Sequence, residues 1–173
     1  MESKIKFLGH AVHPMLVVFP LALFATAVVF DAIGWLTGNG RWLDASFRII
    51  AAGIIGGMIS AIFGLIDFQA IPWNTRAKRT GVWHGLGNVA VIFLFGASWL
   101  MRWPRPSNPG ALPVMLSLIG ALWMLITAWL GGELVERLGV GVDEGANLNA
   151  PNSLAGRAVR GRRPRGESKL RRT

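Results

Sequence analysis

The sequence of 173 residues has no cysteine, no tyrosine and few charged side chains, since Asp, Glu, Lys and Arg make up 16%. The absence of cysteine excludes disulfides, thiolate metal sites, iron–sulfur clusters and cysteine nucleophiles. The sequence also lacks a glycine-rich phosphate loop and a nucleophile-elbow serine, so no catalytic motif is recognised. Hydrophobic residues make up 52%, which is too high for an ordinary soluble domain of this size. Composition therefore indicates a small integral membrane protein.

Four apolar segments are separated by short links that contain the glycine and proline residues typical of turns. Each segment has about 20 residues, which is the length that a helix needs to cross ~30 Å of hydrocarbon. Only helices and closed barrels satisfy their backbone hydrogen bonds in lipid. We therefore predict an all-α fold, a four-helix transmembrane bundle over residues 1–141. The predicted spans are residues 14–36, 46–68, 82–101 and 111–131.

Basic residues predict the orientation of the bundle. The net charge is +9, and an even number of spans places both termini on the side that holds 14 Lys and Arg residues, against four on the other. The positive-inside rule then places both termini in the cytoplasm. Residues 142–173 carry 8 Lys and Arg and almost no large apolar side chain, so we predict a disordered basic tail. This tail either contacts anionic lipid head groups or only reinforces the topology, and no specific nucleic acid is expected.

Titratable side chains stand at the predicted cytoplasmic end of all four spans. His13 precedes Pro14 and is expected to cap the first span. Titratable groups near membrane depth are functional candidates because burial without a partner costs several kcal/mol. The complete layer comprises His10, His13, Asp67, His84 and Glu133, with Arg76, Lys78 and Arg79 nearby.

Four interpretations of this layer stay open. The first is a b-type haem bound by His13 and His84, with Asp67 and Glu133 orienting the ligands or carrying protons. The second is a divalent metal ion bound by His10, His13 and His84 with the carboxylates. The third is a proton path through histidines that titrate near neutral pH. The fourth is an interfacial network of ion pairs without any cofactor.

Asp31 is the other polar residue at membrane depth, about 7.5 Å inside the outer end of the first span at the helical rise. We expect it to form a structural ion pair with Arg48, and a role in transport is the alternative. In the second span, Gly56, Ser60 and Gly64 recur every four positions. Small residues at this spacing let helices approach closely, which predicts tight packing within the bundle.

Several sequence blocks together resemble one known family. They are GHAVHPMLVVFP at 9–20, GLIDF at 64–68, IP at 71–72, TRAKRTG at 75–81 before His84, GGELV at 131–135 and GVGV at 139–142. These blocks resemble the bacterial membrane-protein family called domain of unknown function 2231. The resemblance covers residues 9–142, which is nearly the whole predicted bundle.

The resemblance implies a redox setting. Family members look like four-helix membrane proteins and often join Rieske-type or cytochrome c domains, which implies electron transfer with haem b or a quinone. We therefore expect a cofactor-binding electron-transfer subunit in the bacterial inner membrane, with a separate Rieske-type or cytochrome c partner. The alternative is a cofactor-free structural protein or a transporter of small solutes or protons.

The motif residues that carry over are His13, Asp67, His84 and the Gly131-Gly132 block. This chain departs from the family pattern at two positions. Members commonly show a histidine where this chain has Val18 and an aromatic residue where it has Glu136. If the missing histidine is a ligand in the family, the haem interpretation is weakened for this chain.

Overall fold

The computed structural model describes residues 1–155, which form a bundle of four long helices. Each helix is long and apolar enough to cross a membrane. The predicted four-helix transmembrane fold is therefore confirmed. The elements are β1 (Lys6–Phe7), β2 (His10–Ala11), α1 (Val12–Thr37), α2 (Gly40–Gln69), α3 (Arg76–Arg102) and α4 (Ala111–Gly132), and α4 continues into a π-helical turn (Glu133–Arg137).

Capping residues set where the helices begin. The Asn39 side chain accepts a hydrogen bond from the backbone N–H of Arg41 at the start of α2, and Thr75 accepts one from Lys78 at the start of α3. Both helices therefore begin six residues before the predicted spans, because hydropathy marks only their apolar part. The first helix begins at Val12, so His13 lies within its first turn and not at its cap as predicted.

The four helices form two hairpins, α1 with α2 and α3 with α4, and contacts are denser within each hairpin than between them. The predicted close packing of α2 is confirmed, because a Cβ added at Gly64 would lie 2.8 Å from His13 Cε1 and one added at Gly56 would lie 3.6 Å from Pro20 Cδ. The rings of Phe24 and Phe95 stack at 3.9 Å between the hairpins. The buried core comprises Phe24, Ala27, Ile50, Val91, Phe95 and Met124.

The two ends of the bundle differ in what they contain. One end, called here the loop end, holds the α1–α2 and α3–α4 connections, and Gly40 lies against the backbone of Ser107 there. At the opposite end a backbone bridge between Glu2 and Gly141 joins the N-terminal segment to the segment that follows α4. This end is called the termini end. Of the predicted tail, residues 142–155 form turns without a helix or strand. The eight basic residues of the tail lie beyond residue 155, outside the described part of the chain.

Candidate functional site

His13 is held by the neighbouring helix α2. Its Nδ1 lies 2.9 Å from the carbonyl oxygen of Ser60, and Ser60 Oγ is 3.2 Å from the same nitrogen. The imidazole packs on Gly64, where an added Cβ would lie 2.8 Å from His13 Cε1. Glycine at position 64 therefore provides the space that this ring fills.

His84 has the same environment in the second hairpin. Its Nδ1 lies 2.9 Å from the carbonyl oxygen of Thr127 on α4, and its Cε1 would lie 3.1 Å from a Cβ added at Gly131. The amide Nδ2 of Asn88, one turn further along α3, lies 3.1 Å from His84 Nε2. The second imidazole is thus fixed at both of its ring nitrogens.

These hydrogen bonds determine the tautomer of each histidine. A backbone carbonyl can only accept a hydrogen bond, so Nδ1 of each ring donates and carries the proton in the neutral imidazole. The lone pair is then on Nε2, the nitrogen that binds metals when Nδ1 is held in this way. Asn88 donates its amide proton to this lone pair on His84.

Both imidazoles line one cavity of about 90 Å³ between the four helices. Two of its lining residues, Ala61 and Ala128, are exposed on the bundle surface, so the cavity lies close to the lipid-facing side there. The full lining comprises His13, Val17, Pro20, Leu21, Phe24, Gly57, Ser60, Ala61, His84, Asn88, Val91, Ile92, Met124, Thr127 and Ala128.

The cavity lies on an internal pseudo-two-fold axis. Positions in α1 correspond to positions 71 residues later in α3, which relates His13 to His84, Phe24 to Phe95, and Asp31 to Arg102. Residues of α2 recur 67 positions later in α4, with Ser60 equivalent to Thr127, Gly64 to Gly131, Gly53 to Gly120 and Ala61 to Ala128. Two repeats of two helices are parallel repeats, whose axis runs along the membrane normal.

This repeat was missed by the sequence analysis, although the sequence contains a signal for it. Both α1 and α3 carry a histidine followed eleven residues later by phenylalanine, and their other residues differ at most positions. Eleven residues are about three helical turns, so the two side chains share one helix face. The stacking of Phe24 on Phe95 in the structure shows that this face of α1 packs against the equivalent face of α3.

The loop end holds a buried ion pair between Asp31 and Arg102. Arg102 Nη1 and Nη2 lie 2.6 and 2.7 Å from the two carboxylate oxygens of Asp31. The Asp31 side chain is 2% exposed and the Arg102 side chain is 0% exposed. The hydroxyl groups of Ser46, Ser98 and Ser117 complete the network around them.

The predicted partner of Asp31 is therefore wrong. Arg48 lies on the surface and pairs with Asp44, one turn earlier on α2, at 2.9 Å. Both Arg48 and Arg102 lie near the loop end of their helices, and sequence position does not show which of them faces the bundle axis. The choice depends on helix rotation, which packing determines.

The predicted carboxylates do not reach the cavity. Asp67 accepts hydrogen bonds from Ser3 Oγ at 2.8 Å and from the backbone N–H of Lys4 at 2.7 Å. Residues 1–11, called here the N-terminal strap, are thereby fastened to the end of α2. Glu133 accepts a hydrogen bond from Arg76 at 2.6 Å, so this pair joins α3 to the π-helical turn.

Lys78, one of the basic residues of the predicted layer, has structural partners. Lys78 is buried, and its ammonium group donates to the carbonyl oxygen of Phe68 at 2.8 Å near the end of α2. The same ammonium group lies 3.8 Å from the centre of the Phe68 ring and 4.3 Å from that of Trp73. Lys78 therefore binds the C-terminal end of α2 and leaves the cavity uncharged.

The predicted metal set of His10, His13 and His84 does not form. His10 is exposed in β2, where its Nε2 lies 3.4 Å from Ser153 Oγ. Within residues 1–155 no three His, Asp or Glu side chains are grouped closely enough to hold a metal ion. The site is thus reduced to a pair of imidazoles in one cavity.

The position that departs from the family pattern in α1 lies outside this cavity. Val18 is exposed on the bundle surface, whereas its neighbour Val17 lines the cavity. A histidine at position 18 would therefore face away from His13 and His84. Its absence removes no cavity ligand in this bundle.

The four apolar helices, with a buried ion pair on their axis, define a multi-pass membrane protein. Comparison with family models gives the particular family: residues 9–144 match the model of predicted membrane proteins called DUF2231. The chain belongs to this family, as the sequence blocks indicated. Searches of curated proteins and of solved structures find no match.

Proposed function

We propose that the protein is a membrane subunit for electron transfer that holds a redox group between His13 and His84. The observation that supports this proposal is the pair of equivalent imidazoles on one cavity, each with Nδ1 bound to a carbonyl oxygen. Such bonds orient an imidazole and leave Nε2 as a ligand or proton acceptor. A separate Rieske-type or cytochrome c protein would exchange electrons with it.

Haem b does not fit this cavity as the helices pack here. Pockets for organic ligands hold ~300 Å³ or more, and this cavity has about 90 Å³. In addition, the amide of Asn88 occupies the lone pair of His84 Nε2, where haem iron would bind. A quinone ring is also too large to be enclosed, since even benzene occupies a cavity of roughly 150 Å³. A quinone could approach only from the lipid side, past Ala61 or Ala128.

Transport along the bundle axis is the alternative function, and the packing disfavours it. The stacked rings of Phe24 and Phe95 lie directly beyond the cavity. The Asp31–Arg102 pair, which is nearly inaccessible, fills the axis further along. A solute or a chain of water molecules would have to displace both layers.

The experiment that tests the proposed function is an inventory of redox groups in the full chain, purified from membranes supplied with haem and quinone. It combines reduced-minus-oxidised spectra, quinone extraction and metal analysis. We expect one redox group per chain, lost in His13→Ala and His84→Ala and retained in the matched control His10→Ala. A well-folded protein that contains no haem, quinone or redox metal would overturn the proposal.

We also propose that the termini end faces the cytoplasm of a bacterium, because this end carries most of the Lys and Arg residues. The chain has no cysteine, so single-cysteine variants give an unambiguous labelling signal. In intact spheroplasts, an impermeant maleimide should label Asn108→Cys at the loop end, and Ser153→Cys only after lysis. The reverse pattern would overturn this orientation.

A further inference from the structure

We propose that the cavity between the hairpins binds one Cu(I) ion through Nε2 of His13, Nε2 of His84 and the thioether sulfur of Met124. This inference rests on the proposed function, because it names the redox group that the cavity would hold. Met124 is buried in α4 and lines the same cavity as both imidazoles. The three side chains come from α1, α3 and α4, so the ion would join the two hairpins.

The size of the cavity favours an ion over a larger group. A volume of about 90 Å³ is adequate for a metal ion with a bound water molecule. The same volume is too small for a macrocycle, as the comparison with organic-ligand pockets shows. Ala61 and Ala128 both line the cavity and are exposed, so they mark the side from which an ion would enter.

The charge of the cavity favours a monovalent ion. Among residues 1–155 the lining contains no Asp, Glu, Lys or Arg, and an imidazole that binds a metal through Nε2 does so in its neutral form. A metal ion would therefore keep its full charge in an apolar environment. The desolvation cost of an ion rises with the square of its charge, so the resting ion would be Cu(I), and its oxidation to Cu(II) in this cavity would require an electron acceptor of high reduction potential.

The donor atoms also favour copper. Imidazole nitrogen is a good ligand for copper, and thioether sulfur is a soft ligand that selects Cu(I) among the common biological metals. Structural zinc requires four ligands in a tetrahedron, and magnesium and calcium require oxygen ligands. Two neutral nitrogens and one thioether match none of these other ions.

The imidazoles are pre-organised for such a site. The bonds from Nδ1 to Ser60 and Thr127 fix each ring, and Gly64 and Gly131 pack against the Cε1 edges. One contact opposes binding, because the Asn88 amide donates to His84 Nε2 and must turn away. The equivalent position in the first hairpin is Val17, which makes no such bond.

The test is an anaerobic titration of the full-length protein in detergent with Cu(I), in competition with a chromophoric Cu(I) chelator. We expect one ion per chain. Binding should weaken at least ~100-fold in His13→Ala and in His84→Ala, beyond the range typical of outer-shell changes. The exposed control His10→Ala should bind as the unaltered protein does.

Two further variants separate ligation from folding. Met124→Leu conserves volume, so it should fold normally while X-ray absorption loses the copper–sulfur signal and retains the nitrogen signal. Asn88→Val removes the competing hydrogen bond and should tighten binding about fivefold. A copper–sulfur signal that persists in Met124→Leu, or tighter binding that does not appear in Asn88→Val, would contradict the proposed ligand set.

The outcomes also distinguish this proposal from the proposed function. Absence of Cu(I) binding, or binding that His13→Ala and His84→Ala leave unchanged, overturns the copper site. If haem or quinone is then found and is lost in the same variants, the electron-transfer function stands without copper. If no redox group is found at all, both proposals fall.

Discussion

The two ends of the bundle axis contain equivalent positions with opposite chemistry. At the loop end the equivalent residues are Asp31 and Arg102, which are buried and bonded to each other through both carboxylate oxygens. At the termini end the equivalent residues are His13 and His84, which border a cavity and bond to carbonyl groups of their own hairpins. The first pair fills the bundle axis with bonded side chains, and the second pair borders a cavity on that axis.

This difference follows from symmetry and charge. Equivalent residues meet across a two-fold axis, so two identical charges would be forced together in a medium of low dielectric constant. Opposite charges at the two positions remove that repulsion, which explains why aspartate faces arginine. Histidine can be uncharged, so the same residue can occupy both equivalent positions without this repulsion. The axis is therefore filled by a bonded ion pair at the loop end, whereas two imidazoles border a cavity at the termini end.

The largest effect is expected when the buried ion pair at the loop end is broken. Replacing Arg102 with Met leaves Asp31 buried without its partner, which should lower the free energy of unfolding by about 3–5 kcal/mol. The double variant Asp31→Leu with Arg102→Met removes both charges and should recover most of this loss. Unfolding in detergent, followed by circular dichroism, measures both.

The surface pair provides the control for this experiment. Asp44→Ala breaks the exposed pair with Arg48 and should not change unfolding measurably. If Asp44→Ala were as damaging as Arg102→Met, the distinction between a buried axial pair and a surface pair would be lost.

An effect of intermediate size is expected in the middle of the bundle, between its two ends. It tests whether the two repeats pack in the same way there. A Cβ at Gly53 would lie 2.6 Å from Phe24, and one at Gly120 would lie 2.9 Å from Phe95. Gly53→Ala and Gly120→Ala should therefore each destabilise the bundle by about 1–3 kcal/mol through overpacking.

Gly96→Ala is the matched control, because the Cβ added at this position has no atom of residues 1–155 within 4 Å beyond its own helix backbone. It should be neutral in the same unfolding assay. A large loss for only one of the two core glycines would show that the repeats pack differently around the stacked phenylalanines.

The smallest effect concerns the N-terminal strap, which covers the termini end. Lys6 bonds to Glu2 at 2.8 Å and to Asp143 at 3.1 Å. The hydrogen bond from Lys6 lowers the pKa of Glu2 below 4.5, and the hydrogen bond to Glu2 raises the pKa of Lys6 above 10.5. A lowered carboxyl pKa stabilises above pH 4.5 and a raised lysine pKa stabilises below pH 10.5, so the strap is most firmly held between these values.

Hydrogen exchange of the strap amides measures this effect. Protection of residues 1–11 should fall as the pH drops through the lowered pKa of Glu2, and again as it rises past that of Lys6, while α1–α4 stay protected. In Lys6→Met the protection should already be low near neutral pH. Strap protection that is independent of Lys6 would show that the backbone bonds to Gly139 and Gly141 hold it alone.

Much of the fold could be predicted from the sequence, because the bilayer restricts the secondary structure that a spanning segment can adopt. Apolar segments of this length must be helices, and short links must join neighbouring helices in antiparallel order. The residue types at the site were also readable, since His13 and His84 are rare titratable groups at the ends of spans. Their partners were not, because Ser60 and Thr127 contribute backbone carbonyl groups that every residue possesses.

The sequence by itself determined the class of protein, the four helices, the small-residue packing of α2 and the candidate histidines, all of which depend on local composition and length. Only the tertiary structure decided that Asp31 faces Arg102, that Asp67 and Glu133 bind outside the cavity, and that the hairpins repeat about an axis. These contacts depend on the rotation of each helix about its own axis. Rotation is set by the packing of all four helices together, and no single segment encodes it.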